Sequence, residues 1–388
     1  MKCILKRPID GLDQLNKTKM RFILAFFFLT CLISCQVDSS STNPPTDLAT
    51  IPTIDLPEIS YEDAGFNRDS IEDLLDQIQD TKHKDFRGLV VIKNNQLVLE
   101  AYYNTFWRKS ILDIRSAGKS ITTLLLGVAM KEGLIESLDQ SLYSLFSKDK
   151  NPKINEEYKK IKLRDVLDMA SGLDADSDNS GSPGQAGQWI GLDDWKEYVL
   201  NVPLVATPGE RFVYADIHPL LIALAIEEAS GMSLRDYAQE KLFTPLGIRQ
   251  FYWFTNAANQ TGAAGNLYLG AYDFAKLGML VVNEGKWNDQ QLIDPEYIDL
   301  IINSKKHSVS DWFPLADTYG MFWYKTTRTF GDKEFNYLFG SGLGGNHIVV
   351  FPEEEMVIAI TSSAYRTGYQ HGRSYAVMEK VLKALEYN

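Results

Sequence analysis

The chain is 388 residues long, 45% hydrophobic and 23% charged, an ordinary globular composition with enough length to bury a sizeable core. A formal net charge of −12 argues against a nucleic-acid partner, which needs a basic face to meet phosphates. The cysteines stop at Cys3, Cys31 and Cys35, so the rest of the chain has no disulfide, no thiol chemistry and no cysteine-ligated metal.

The first element is a targeting segment rather than structure. Lys17, Lys19 and Arg21 precede an apolar run, FILAFFFLTCLI, over residues 22–33. The run is short for a transmembrane helix, which needs about 20 apolar residues. It ends in Leu32-Ile33-Ser34-Cys35, which resembles the lipobox of bacterial lipoproteins. The resemblance implies a signal peptide over 1–35, with Met20 as an alternative start, and acylation of Cys35. It also implies export and a lipid anchor in a bacterial membrane, on its periplasmic or cell-surface side. The alternative is an uncleaved anchor with an incidental cysteine. Residues 36–58 are rich in Ser, Thr and Pro and read as a flexible tether. The remainder, 59–388, reads as one domain.

Within that domain the spacing predicts a helix over 67–81, capped by Asn67 or Asp69. Residues 86–103 read as a hairpin, in which GLVVI and LVLEAYY flank a Lys93-Asn94-Asn95-Gln96 turn. Residues 116–132 read as an amphipathic helix, with Ile121, Leu124, Leu125, Val128 and Ala129 at helical spacing and Gly133 as its stop. Helices are also expected over 163–169, 218–230, 233–242 and 273–283, with a polar Gly/Ser loop at 174–188. Strands return at 319–326 and 334–338, then as a hairpin of 347–351 and 356–361, before a last helix over 375–386. Strands at both ends with helices between predict an α+β fold. Its antiparallel sheet is flanked by helices, with edges drawn from the two termini, and a mostly helical subdomain lies beside it.

The helix over 116–132 opens with Ser116-Ala117-Gly118-Lys119. Positions i and i+3 share a helix face, so the lysine reaches the hydroxyl. A serine nucleophile needs such a neighbour, because an unassisted hydroxyl stays protonated at neutral pH. In the first turn, free N–H groups and the helix dipole favour developing negative charge. The spacing alone is weak: Ser147-Lys148-Asp149-Lys150 repeats it with no apolar helix behind it.

The wider stretch IRSAGKSITTLLLGVAMKEGLIESLD (114–139) resembles the Ser-x-x-Lys helix of the serine β-lactamase and penicillin-binding-protein superfamily, most of all its class C and esterase branch. The likeness continues in order through LRDVLDMASGL (163–173) and TPGERFVYADIHPLLIALAIEEASGMSLRDYAQEKLFTPLGI (207–248). It resumes in GAYDFAKLGMLVVNEGKWNDQQLIDP (270–295) and GSGLGGNHIVVFPEEEMVIAITSS (340–363), and so covers most of residues 60–388. The resemblance implies a β-lactamase/transpeptidase-like fold with its active site between sheet and helical subdomain. It implies acyl transfer with no metal and no cofactor. Residue by residue, it implies Ser116 as the acylated nucleophile, Lys119 as the group that steers its proton, and Tyr214 as general base and then acid. A phenol titrates near about 10, so the lysine cation would have to stabilise its phenolate. The alternative for Tyr214 is an aromatic residue packed in the core.

The sequence departs from the family pattern in two places. Tyr214-Ala215-Asp216 ends in Asp where the family has Asn. A carboxylate there would pair with Lys119, perturb its charge, or simply cap the helix beginning near His218. On the last strand the family carries Lys-Thr-Gly or His-x-Gly, whereas Gly340-Ser341-Gly342 holds no cation. That weakens penicillin-type recognition and resembles the esterase and 6-aminohexanoate-dimer-hydrolase members instead. Ser341 and Gly342 would then line the substrate site, and the backbone N–H near Leu343 would join that of Ser116 as an oxyanion donor.

Other chemistries lack their context. Residues 340–345 also fit G-x-G-x-x-G, but a hairpin rather than a helix follows, which excludes a dinucleotide site. No Gly-x-Ser-x-Gly elbow, His-Glu-x-x-His or P-loop occurs. The five histidines are scattered, with His347 nearest the Gly-rich strand. Trp189, Trp253 and Trp323 read as core, and Trp189 also as a candidate cleft residue. The function expected is therefore hydrolysis of a small ester, amide or peptide through a Ser116 acyl-enzyme. The rivals are a cell-wall D,D-peptidase or β-lactamase, and a catalytically silent binding protein on the same fold. The joint presence of Ser116, Lys119 and Tyr214 argues against the silent reading.

Overall fold

Asn94 and Asn95 both adopt the left-handed conformation (φ 51° and 58°) that asparagine tolerates and a two-residue hairpin turn requires. They join β1 (Phe86–Lys93) to β2 (Gln96–Tyr102) in the computed structural model, which describes residues 54–146 and 149–386. The signal segment, the lipobox, most of the tether and Ser147-Lys148 lie outside the described residues. The tether read to residue 58 overlaps ordered chain at its end. Leu97 N–H donates to Pro57 O at 2.8 Å and Ile59 N–H donates to Leu97 O at 3.1 Å, so this segment covers the outer edge of β2.

Short strands β3 (Leu112–Asp113), β4 (Phe251–Trp253) and β5 (Leu267–Leu269) pair in the order β3-β5-β4, and β6 (Lys286–Trp287) pairs with β7 (Gln290–Gln291). The main sheet is completed by β8 (His307–Ser308), β9 (Thr318–Gly320), β10 (Trp323–Phe330), β11 (Lys333–Gly342), β12 (Asn346–Phe351) and β13 (Met356–Ser362). Its order is β2-β1-β13-β12-β11-β10-β9-β8, antiparallel throughout. The N-terminal hairpin supplies one edge, β2, as expected, but the last strand is interior, paired with β1, and the other edge is β8. Burial explains this: every residue of β12 and β13 is buried, and such strands need neighbours on both sides.

The expected single strand over 319–326 is a second tight hairpin. Met321 and Phe322 take left-handed φ values of 56° and 58°, unfavourable for such side chains. The surroundings hold them there. Met321 N–H donates to Asp168 Oδ1 (3.1 Å) and Phe322 N–H to Leu167 O (3.0 Å). Their carbonyls accept from Thr123 Oγ1 and Ser120 Oγ, both at 2.8 Å.

The longer helices are α1 (Arg68–Asp80), α2 (Gly118–Lys131), α3 (Ile217–Ser230), α4 (Ala271–Val282), α5 (Pro295–Asn303) and α6 (Gln370–Lys383). α1 is capped by Asn67, whose side chain accepts from Ser70 N–H, and buries Ile71, Leu74 and Ile78 on one stripe. α2 and α3 are buried nearly all round, α3 by apolar residues and α2 with Lys119, Ser120, Thr122 and Thr123 among its buried side chains. α4 packs on β1, β12 and β13, while α6 packs on α1 and the sheet. α5, absent from the sequence reading, starts at the Asp294-Pro295 signal of an N-cap followed by proline. α6 begins five residues before the expected start. The helix expected over 233–242 narrows to Leu234–Ala238 and then widens into a π turn, Gln239–Phe243.

Two glycines let β11 lie against the start of α2. A Cβ on Gly340 would sit 2.7 Å from Ser120 Oγ, and one on Gly342 would sit 2.0 Å from Ile114 O. Neither contact is tolerable, and the second meets backbone that has no rotamer to yield. Gly342→Ala is expected to lower unfolding free energy by about 1–3 kcal/mol, the usual range for overpacking, measured by urea denaturation. An unchanged midpoint would mean that strand and turn separate easily.

Candidate active site

Ser116 sits where β3 turns into α2. Arg115 enters the left-handed region at φ 55°. The buried Asp113 carboxylate stabilises that turn by accepting Arg115 N–H at 2.8 Å and pairing with Arg115 Nε at 3.1 Å. A 3-10 turn, Arg115–Ala117, then leads into α2, so the helix that the sequence starts at Ser116 becomes α-helical from Gly118.

Lys119 reaches back along the helix face, and its Nζ donates to Ser116 Oγ at 3.0 Å. Its other partners are Ala264 O at 2.7 Å and Asp216 Oδ1 at 2.8 Å. With the Tyr214 hydroxyl as a further hydrogen-bond partner, the N–H donors of this buried ammonium are all satisfied. The side chain is 1% exposed and Asp216 is 28% exposed. Burial pushes the lysine pKa down, but the Asp216 carboxylate and then Tyr214 outweigh it, and the net direction is upward.

Asp216 occupies the N-cap position of α3, yet its side chain makes no capping hydrogen bond. Of the readings open for it, pairing with Lys119 is the one the geometry realises. The segment around it is held from outside: Asp216 N–H donates to Ser177 Oγ at 3.1 Å, and Ser177 N–H donates to Tyr214 O at 3.0 Å. The polar 174–188 loop therefore fixes residues 214–216 in place.

Tyr214 is half-buried, with its ring centroid 5.0 Å from Lys119 Nζ. Tyr324, on β10, hydrogen-bonds to it, and burial keeps the Tyr324 phenol protonated far above its ordinary range. Ser116, Lys119, Tyr214 and Asp216 are thus brought into one cluster. The glycine strand adjoins it, since a Cβ added to Gly342 would also lie 3.0 Å from Ala117 N. Ser341 turns towards α6, where its hydroxyl is 3.3 Å from His371 Nδ1, while the Leu343 side chain is exposed.

His371 is also 3.2 Å from His347 Nε2. Burial drives the His347 pKa down to about 3, helped by His371, and burial lowers His371 too. Neither supplies the cation missing from the glycine strand at neutral pH. His218 is a satisfied core residue, 2.7 Å from Ser171 Oγ, with its pKa pushed by burial to about 4. Trp189 is buried against Trp195, as a core residue. The sequence reading missed Trp312, Tyr324, His371 and the Ala264 carbonyl. None lies in a periodic element that marks it as a partner of Ser116. A cavity of about 550 Å³ lined by Pro183, Leu192 and Tyr198 shares no residue with the cluster, so chemistry rather than volume locates the site.

Comparison with known proteins agrees with this architecture. Residues 71–381 match the Beta-lactamase family. A protein of Escherichia coli O157:H7 named "Putative D-alanyl-D-alanine carboxypeptidase" is 23% identical, over 79% of this chain and 85% of its own length. Among solved structures, "Putative 6-aminohexanoate-dimer hydrolase from Bacillus anthracis" superposes with a TM-score of 0.66 at 20% identity, covering 86% of this chain and 89% of that one. A family VIII carboxylesterase gives a TM-score of 0.68 at 13% identity, covering 86% and 100%. The antiparallel sheet, its flanking helices and the match across most of the chain make this protein a member of the Beta-lactamase family, a hydrolase of the β-lactamase fold.

Proposed function

We propose that this protein is an exported serine hydrolase that cleaves an uncharged ester or amide through an acyl-enzyme on Ser116. The observation that carries the reading is Lys119 Nζ, buried and within hydrogen-bond reach of both Ser116 Oγ and Asp216 beside the Tyr214 ring. Ser116 Oγ attacks the substrate carbonyl carbon while its proton passes to the phenolate oxygen of Tyr214. Tyr214 then returns that proton to the departing oxygen or nitrogen, and the acyl–Ser116 ester forms. Water repeats the sequence in reverse and frees the acid. Lys119, held as a cation, stabilises negative charge on the phenol oxygen without itself taking the proton. The N–H of Ser116 and the backbone near Leu343 receive the oxyanion, with Ser341 and Gly342 flanking the acyl group.

A second reading, cleavage of a D,D-peptide bond, is favoured by the name of the E. coli relative. The lack of a cation on the glycine strand and the depressed pKa values of His347 and His371 favour an uncharged substrate instead. We also propose that acylation of Cys35 anchors the domain to a bacterial membrane.

Purified soluble domain is expected to hydrolyse p-nitrophenyl acetate, and Ser116→Ala is expected to lose at least about a thousandfold in kcat. Lys119→Ala and Tyr214→Phe should each lose about 10²- to 10⁴-fold. Equal rates for wild type and Ser116→Ala would overturn the mechanism. Release of a D-alanine-terminated peptide's last residue, with no ester turnover, would favour the second reading.

The Lys119–Asp216 pair also predicts a pH dependence of stability. A raised folded-state pKa means that the contribution is complete below the ordinary lysine value of about 10.4 and is lost as pH rises through the folded value. Asp216→Asn leaves a buried ammonium without its carboxylate. The expected loss is about 1–3 kcal/mol at pH 7, below the range for fully buried pairs because Asp216 keeps some solvent. The gap to wild type should narrow above about pH 10, where a neutral amine suits the site. Urea denaturation across pH tests this, and a gap that widens with pH contradicts it.

For the anchor, Cys35→Ala expressed in bacteria should move the protein from the membrane fraction to the soluble fraction. Unchanged membrane association would count against acylation of that cysteine.

A further inference from the structure

The cleft wall beside Tyr214 is built of aromatic rings. The Trp312 and Tyr214 centroids are 5.0 Å apart with planes inclined by 31°. Phe212 at 5.8 Å, Phe313 at 6.1 Å and Tyr324 at 6.5 Å also surround Trp312. Phe313 carries the wall onward, edge-on to His371 at 5.6 Å, and His371 adjoins Ser341. Aromatic surface therefore runs from Tyr214 towards the glycine strand.

Trp312 is both fixed and open. Its N–H and that of Phe313 both donate to Val309 O, at 3.0 and 2.7 Å, and Val309 N–H donates to Asp317 O at 3.0 Å. Its indole Nε1–H donates to Asp178 Oδ2 at 3.2 Å, tying this turn to the polar 174–188 loop. Despite these restraints the residue is 43% exposed. A large ring, held rigid yet left in water beside reactive groups, has low ordering cost and much area to gain from a ligand.

We propose that Trp312 is a specificity-determining residue that stacks on a planar aromatic group in the substrate's leaving portion. The substrate class is then arylmethyl or aryl esters and amides. This rests on the acyl-transfer reading: Tyr214 returns its proton to the leaving atom, so a ring packed on Tyr214 lies on the leaving-group side. Stacking, unlike simple apolar contact, discriminates a flat ring from a puckered one of similar size.

Benzyl acetate and cyclohexylmethyl acetate test this, since they share the acyl group and differ chiefly in ring planarity. Wild type is expected to favour the benzyl ester about three- to tenfold in kcat/KM, mainly through KM. Trp312→Ala should bring that ratio near one, whatever it does to absolute rates, and Trp312→Phe should keep most of it. A ratio near one in wild type, or one unchanged in Trp312→Ala, overturns the proposal. Independently of turnover, benzyl acetate added to Ser116→Ala should shift the Trp312 indole N–H resonance, and cyclohexylmethyl acetate should shift it much less. If wild type hydrolyses neither ester, that failure belongs to the acyl-transfer reading. The resonance then decides the stacking: a selective shift supports it and no shift overturns it.

Discussion

A buried ammonium group organises the centre of this molecule. Lys119 is almost fully removed from water, and an unpaired charge there would cost several kcal/mol. Its three protons are satisfied by three separate segments: the turn before α2, the connection between β4 and β5, and the residues preceding α3. Tyr214 is a further hydrogen-bond partner, so the ammonium is satisfied without reaching water. The lysine thus converts its own burial cost into a constraint on where Ser116, Ala264 and Asp216 stand.

Strained backbone surrounds that centre, and each strained position has a compensating contact. Arg115 is left-handed, with Asp113 holding both its backbone and its side chain. Met321 and Phe322 are left-handed too, with four hydrogen bonds to α2 and to residues 167–168. Such positions persist only when their surroundings over-determine them. Here the over-determination joins the sheet to the helical part on both sides of α2, which keeps the glycine strand against the serine turn.

Periodic features of this arrangement were legible in the sequence. The apolar stripe of α1, the Asn-Asn turn, the buried run of α3 ended by Gly231 and the terminal hairpin all follow from local chemistry. The Ser116–Lys119 spacing was legible for the same reason, since a helix brings i and i+3 together. What was not legible depends on distant partners. Residues 319–326 read as one strand because Tyr, Phe and Trp favour strands, and only the carboxylate of Asp168 and the hydroxyls of α2 reveal the turn. The C-terminal strand was read as an edge because order along the chain says nothing of the pairing of β13 with β1. Asp216 looked equally like a cap, and a residue 97 positions away from it in the chain decides the matter.

Substituting a carboxylate for the family's asparagine has a consequence for charge. The Asp216 carboxylate lies 2.8 Å from the same ammonium that acts on Tyr214. On the acyl-transfer reading, the Lys119 charge that acts on the Tyr214 oxygen is therefore shared with a carboxylate. Gly340-Ser341-Gly342 carries no cation, and burial lowers the pKa of His347 and His371 beside it. With no cation on that strand to offset the desolvation of a substrate carboxylate, surfaces that need no charge gain weight. The rings of Trp312 and Phe313, backed by the buried Tyr324, are such surfaces. The loss of the strand cation, the paired lysine and the aromatic wall thus point the same way, towards recognition by stacking and shape.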